Sequence, residues 1–345
     1  MTINLKPDSG IALLRAEYTF PFIGLLRAAG APVDSELQRA RLPALIEELP
    51  DAFVSTDLIF RFIEQASRRV GIDNIGFDAG WKLRYEDLGP ALTSAINQAP
   101  NLRVAIETFS RLVLQEDSEC RCYLEDRGEQ TRICVQQYIP AGADTRIAEW
   151  QNIKAVIEVI RQYQQPGWLP RAVGLLSRQT PKSAERDRLG DIKVLTGQPD
   201  TFIEIPTTLL EQPRPLSGEH FPQRPNHGAI CSCTSDLSRY ENDLPSRLRS
   251  ALIPYLASGN PGIELAAKIA GTSVRKLQRI LDQRQTSYSE LLETLRYEQA
   301  LHLLRHTDLK ILDIALSLGY SDASNFARTV RRISGSSPRE LRSNG

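Results

Sequence analysis

The side chains in this sequence best suited to chemistry fall on two short stretches near its C-terminal end. Between Ser273 and Arg284, Val274, Leu277, Ile280 and Leu281 recur at the spacing of one helix face, which leaves Arg275, Lys276, Gln278, Arg279 and Gln283 on the other. From about Asp322 the pattern repeats, with Phe326 and Val330 turned inward beside Tyr320, and Ala323, Ser324, Asn325 and Arg328 turned outward. Arginine can donate to guanine O6 and N7, glutamine or asparagine can pair with adenine, and a small side chain can meet a thymine methyl. Such faces could therefore read base edges. A solvated surface is the plain alternative for each of these side chains, since every amphipathic helix of a bundle carries a polar face.

Base reading requires each helix to be held at an angle to a partner. Ile311, Ile314, Ala315 and Leu318 pattern a short helix, Gly319 makes a turn, and the next helix begins near Asp322. This is the outline of a helix-turn-helix, whose second helix lies in the major groove. Upstream, Ile263, Leu265, Ala266, Ile269 and Ala270, a turn at Gly271-Thr272 and the helix from Ser273 give another copy. The helix between the copies, about Tyr288 to Arg305, would be about 27 Å long. Successive major-groove faces on one side of B-DNA lie about 34 Å apart, so one monomer could present both copies to adjacent grooves.

The run Ile314-Ala315, Leu318-Gly319-Tyr320-Ser321-Asp322, Asn325-Phe326, Arg328, Gly335, Ser337-Pro338 and Leu341-Arg342 closely resembles the signature of the AraC/XylS family of transcription regulators. Val330 departs from it, because the family usually carries an aromatic there, and looser packing is expected at that position. By motif position the resemblance implies base-edge contacts from Arg275, Gln278 and Arg279 in the first unit and from Ala323, Ser324, Asn325 and Arg328 in the second. Arg331, Arg332 and Arg339 are placed for phosphates, which orient the protein without reading sequence.

Residues 1 to 110 read as mostly helical, with stripes such as Ile59, Phe60 and Ile63, and Leu102, Ala105, Ile106 and Phe109. The texture changes at Glu119. Cys120 to Glu125 and Thr131 to Tyr138 around Gly128 predict a β-hairpin, and Ile147, Trp150, Ile153, Ile157 and Ile160 a strong helix. Ala172 to Ser177 and Thr201 to Pro206 are further strands, flanking a short polar helix near Ala184 to Gly190. The expected fold is an α+β N-terminal sensor domain (1–218), a linker (219–243) rich in proline, and an all-α C-terminal domain with two helix-turn-helix units (244–345). The region from Pro21 to Gly218 resembles the arabinose-binding-like domain of AraC-type regulators similar to the ornithine-utilisation and quorum-sensing regulators of pseudomonads. Leu88-Gly89-Pro90, Ala99-Pro100-Asn101-Leu102 with Ala105, and Phe202 to Pro206 with Leu209-Leu210 and Pro213 carry that resemblance. It implies a sensor or dimerisation role and does not make arabinose the ligand; effector-binding residues stay unassigned.

The chain has 345 residues, with 42 Lys+Arg balancing 42 Asp+Glu. The balance is uneven along the chain: Glu241 to Gly345 holds 15 basic against 11 acidic residues, so the remainder is correspondingly acidic. A basic module joined to an acidic one fits DNA binding fused to something else. No apolar run is long enough to span a bilayer and no leader pattern opens the chain, so no membrane partner and a cytoplasmic location are expected.

Residues 1 to 219 contain no histidine, which argues against His-ligated haem or zinc and against Ser-His or Cys-His catalysis there. His220, His227, His302 and His306 follow, the last pair on a helix where a solvated face outweighs a metal site. No phosphate-cradling glycine loop is present, so no cofactor, no metal and no catalytic residue is assigned. Cys120, Cys122, Cys134, Cys231 and Cys233 lack zinc spacing and read as structural thiols ahead of redox sensors. By resemblance the protein is expected to be a transcription regulator, an activator, with double-stranded DNA and RNA polymerase as partners, a small-molecule effector and homodimerisation. The alternatives are a regulator whose N-terminal domain only dimerises or binds a protein, and, last, an enzyme with an appended DNA-binding domain.

Overall fold

The computed structural model describes residues 10–215, 243–259 and 261–343. The expectations for the linker, Cys231, Cys233, His220 and His227 fall outside these, apart from Asp243 at the linker's end. In chain order the elements are β1 (Leu13–Arg15), α1 (Phe20–Ala28), α2 (Val33–Ala40), β2 (Phe53–Ser55), α3 (Thr56–Val70), α4 (Ile75–Gly80), α5 (Pro90–Asn97) and α6 (Leu102–Leu112). There follow β3 (Arg121–Arg127), β4 (Gln130–Gln136), α7 (Arg146–Arg161), β5 (Ala172–Gly174), α8 (Ser183–Leu189), β6 (Lys193–Leu195) and β7 (Thr201–Pro206). The C-terminal part holds α9 (Leu244–Leu252), α10 (Ile263–Ile269), α11 (Val274–Gln283), α12 (Tyr288–His306), α13 (Ile311–Ser317), α14 (Ala323–Ser334) and α15 (Pro338–Ser343).

By packing, the described residues form two units: Glu17–Ala40 with residues 59–215, and residues 10–16 and Arg41–Leu58 with residues 243–343. This differs from the expected division, which placed everything up to residue 218 in one domain. The reason is local. β1 and β2 are three residues each, too short to show a period, and lie in stretches that read as helix or loop.

The first unit is α+β. Its sheet runs β3-β4-β7-β5-β6, antiparallel except for the β5–β6 pair. The β3–β4 hairpin turns at Gly128, whose N–H donates to Asp126 Oδ1 at 2.8 Å. One sheet face buries Ile133, Val135, Val173, Ile203 and Ile205 in a core shared with Trp150, Ile153, Val156, Ile157 and Ile160 of α7. Burying this stripe stabilises the unit at roughly 25 cal/mol per Å² of apolar surface removed from water. Cys120, Cys122 and Cys134 are free thiols buried in this sheet region. Burial pushes Cys122 up to about 12 and Cys134 to about 11, so little reactive thiolate exists near neutrality.

Glu149, in the first turn of α7, is fully buried, with Oε1 accepting the Ser177 N–H at 3.0 Å and Oε2 lacking a partner. Burial raises its carboxyl from 4.5 to about 7. The folded state then keeps a proton that the unfolded chain gives up, so stability falls as pH rises from about 4.5 to about 7 and levels off above. Glu149→Gln is expected to remove that fall, worth at most about 3 kcal/mol, and to raise the melting temperature at pH 8 more than at pH 5. Equal shifts at both pH values would contradict the protonated carboxyl.

The second unit places an antiparallel β1–β2 ribbon, pairing Leu14 with Val54, among helices. Arg15 in the ribbon is buried, bonded to Asp51 at 2.6 Å and set 5.7 Å from the Phe53 ring centre. β2 packs on α9 and on the 3-10 turn Ile253–Ser258. From residue 243 onward every described element is helical.

Candidate nucleic-acid interface

Both α11 and α14 are started by a side chain that captures a free N–H of the first turn. Ser273 Oγ accepts from Lys276 N at 3.3 Å ahead of α11, and Asp322 Oδ1 accepts from Asn325 N at 2.7 Å ahead of α14. The Asn325 N–H, with the Ser321 hydroxyl, holds the Asp322 carboxyl below its usual value. Inward, α11 buries Leu277 and Leu281, and α14 buries Phe326 and Val330. Phe326 meets the Tyr320 ring edge-on at 5.4 Å. Val330, where looser packing was expected, is only 2 % exposed.

The turn before α14 depends on Gly319. Its φ of +77° is the left-handed region, and a Cβ there would stand 2.6 Å from the carbonyl oxygens of Leu256 and Gly259. No other residue fits both conditions. The turn before α11 uses Gly271 at φ +57° in open space. The two copies thus differ: the second turn is wedged against the 3-10 turn, whereas the first is not.

Outward, Arg275, Gln278, Arg279, Ser324, Asn325 and Arg328 are exposed, and Ala323 is half-buried. A groove of about 1170 Å³ runs between the copies. Gln278 of α11 and Asn325 of α14 both line it, over a floor that includes Glu293 and Arg296 of α12. Arg275, Arg279, Ala323, Ser324 and Arg328 are outside the lining. α12 has 19 residues, hence a length of about 28 Å. Its start is fixed by a reciprocal cap between Ser287 and Glu290.

The residues expected at phosphates separate. Arg331 and Arg339 are exposed. Arg332 is exposed as well but forms an ion pair with Glu293, tying α14 to α12. These partners lie far apart in sequence, so no spacing rule could have joined them. Arg296 was also missed: its guanidinium stands 5.5 Å over the Tyr320 ring and donates to Gly259 O at 3.4 Å. His302 and His306 lie with ring centres 4.7 Å apart on α12, the rings tilted 46° to each other. Among the described residues no group of three or more His, Cys, Asp or Glu is arranged to hold a metal ion.

Two family models match this architecture: the arabinose-binding domain of AraC transcription regulators over residues 30–214, and a helix-turn-helix domain over residues 266–344. The chain belongs to the AraC family of transcription regulators. Within that family it is 32% identical over 145 residues to the ornithine utilization regulator of Pseudomonas aeruginosa, covering 42% of each chain. It is 40% identical over 80 residues to the transcriptional activator RhaS of an Enterobacter species, covering 23% of this chain and 29% of that one. The matches thus span less than half the length of these relatives. The crystal structure of the regulator CdpR from Pseudomonas aeruginosa aligns over 90% of this chain and 96% of that one at 18% identity, with a TM-score of 0.33. An AraC-type chain accounts for the tandem copies, since both fall inside or beside the matched helix-turn-helix segment.

Gly319→Ala is expected to destabilise the second unit by about 2 kcal/mol or more, from left-handed strain with a backbone clash added. Gly271→Ala should cost less, because only strain applies. Comparing urea midpoints of the two variants checks this; equal costs would contradict the wedged turn.

Proposed function

We propose that this AraC-family chain is a sequence-specific, double-stranded DNA-binding regulator of transcription that reads two successive major grooves, acting as an activator in the cytoplasm. The observation that carries this reading is the pair of capped helices with exposed Arg and amide faces that flank one groove over α12. In it Arg275, Gln278 and Arg279 read one groove and Ala323, Ser324, Asn325 and Arg328 the next. Arg331 and Arg339 contact phosphates, and Arg332 takes the role of a strut while paired to Glu293. Gln278 and Asn325 face the groove between the copies and so meet the base pairs closest to the centre of the site.

Activation would make RNA polymerase a partner, in line with the printed role of RhaS as an activator. A small-molecule effector is favoured over a purely dimerising N-terminal domain by a cavity of about 290 Å³ in the first unit. It lies among Gln136, Ile139, Thr145, Leu176 and Asp200, where β4 ends and β7 begins. That size admits a small metabolite, near the lower end of ordinary ligand pockets of roughly 300 Å³. Binding there could alter DNA affinity only by the effector's differential affinity for the two states.

Hydroxyl-radical footprinting on DNA selected from a random pool tests the reading, with protection expected on one face across two adjacent major grooves per monomer. Protection of a single groove would overturn it. Arg279→Ala is expected to relax base preference at one position, losing about 1 to 3 kcal/mol of discrimination. Arg331→Ala should weaken every sequence alike and reduce the salt slope by about 0.9. Uniform loss from the first variant, or an unchanged slope from the second, would move that residue to the other role.

A further inference from the structure

Base reading leaves the β1–β2 ribbon unexplained. It comes from the N-terminal end of the chain yet packs in one unit with residues 243–343. Arg247 of α9, 6 % exposed, donates to Ile11 O at 2.8 Å across 236 residues of sequence. Tyr255 donates its hydroxyl to Arg41 O at 2.8 Å across 214 residues. A Cβ at Gly10 would stand 3.8 Å from Leu244 Cδ1, in ordinary contact. β2 lies on α9 and the 3-10 turn, where Leu248, Ala251, Leu252 and Leu256 are all at 1 % exposure or less. The ribbon side is equally closed: Ile11, Leu13, Phe53 and Val54 are at 1 % or less.

Each of these contacts joins a residue before position 219 to one after position 242. The chain leaves the ribbon for the first unit at Glu17 and again at Ile59, the second time inside α3. The covalent path through residues 219–242 is therefore only one of the ways in which the two parts of the chain are held together.

We propose that the face made by α9 and the 3-10 turn is a docking surface for the N-terminal ribbon, and that this joint is a non-covalent tether keeping the DNA-binding helices on the chain when residues 219–242 are cut. Burial without solvent on either side gives the joint the character of a domain core. The Arg247 cation, which donates to a ribbon carbonyl, makes its loss costly, because a buried charge would be left without that acceptor.

The test uses the full chain with a glycine- and serine-flanked protease sequence replacing residues 226–233. After cleavage is complete on a denaturing gel, both fragments are expected to elute together at the intact mass on a native sizing column. Separation of the fragments would overturn the tether. In the cut chain, Leu14→Asp with Val54→Asp should release the C-terminal fragment, and co-elution despite both charges would equally overturn it. Arg247→Met with Tyr255→Phe leaves the apolar faces intact and should lower the urea concentration at which the cut fragments part; an unchanged concentration would count against the docking surface. None of these readouts involves DNA, so a failure of the regulator reading and a failure of the tether are separately visible.

Discussion

The spacing between α11 and α14 depends on the rigidity of α12, and that rigidity comes from burial on more than one side. Leu291, Leu295, Leu292, Leu303, Leu304 and Ala300 are all buried, and their positions are not confined to one stripe. A helix that is apolar around much of its circumference belongs inside a unit, and α12 packs on α9, α13 and α15. Because interiors are close-packed, such a helix cannot slide or tilt by small amounts without opening voids along its length. The separation of the two polar faces is thereby set by core packing, far from any group that would touch DNA.

The same packing explains why the two copies are built differently. The second turn is pressed on the carbonyls of Leu256 and Gly259, α14 is strutted to α12 by Arg332 and Glu293, and Arg296 leans on Tyr320. The first copy has an open turn and shares with the rest chiefly its buried Leu277 and Leu281. An exposed ion pair alone contributes little, typically under about 1 kcal/mol. Here it acts together with a glycine wedge and a ring contact, so the second helix is located by several independent constraints and the first by fewer. The 3-10 turn that receives Gly319 also touches the β1–β2 ribbon, so the order of the second copy extends to the N-terminal end of the chain.

What was legible in the sequence was periodic. α7, α11 and α14 announce themselves because their apolar residues recur over several turns, and Ser273, Asp322 and Gly319 punctuate them where capping and left-handed backbone demand those residue types. The exposed face of the candidate interface followed from the same period, down to Arg275, Gln278, Arg279 and Arg328. β1, β2 and β6, three residues each, left no such trace and went unread, whereas β5, equally short, was caught inside the longer run Ala172 to Ser177. Contacts across long stretches of sequence were equally silent. Nothing at Glu293 points to Arg332, nothing at Ile11 points to Arg247, and the membership of residues 10–16 in the second unit rests wholly on such contacts.

Charge bears on how such an interface could work. Glu241 to Gly345 carries only four more basic than acidic residues, and Glu293 and Asp282 line the groove between the copies. Non-specific DNA affinity comes almost wholly from neutralised phosphates, so a weakly basic segment gains little from that source. On the proposed reading, affinity would then come in larger proportion from contacts made only on the correct sequence and at the correct spacing. A stiff α12 is what makes such a design workable, because base-edge contacts tolerate far less misplacement than phosphate attraction does.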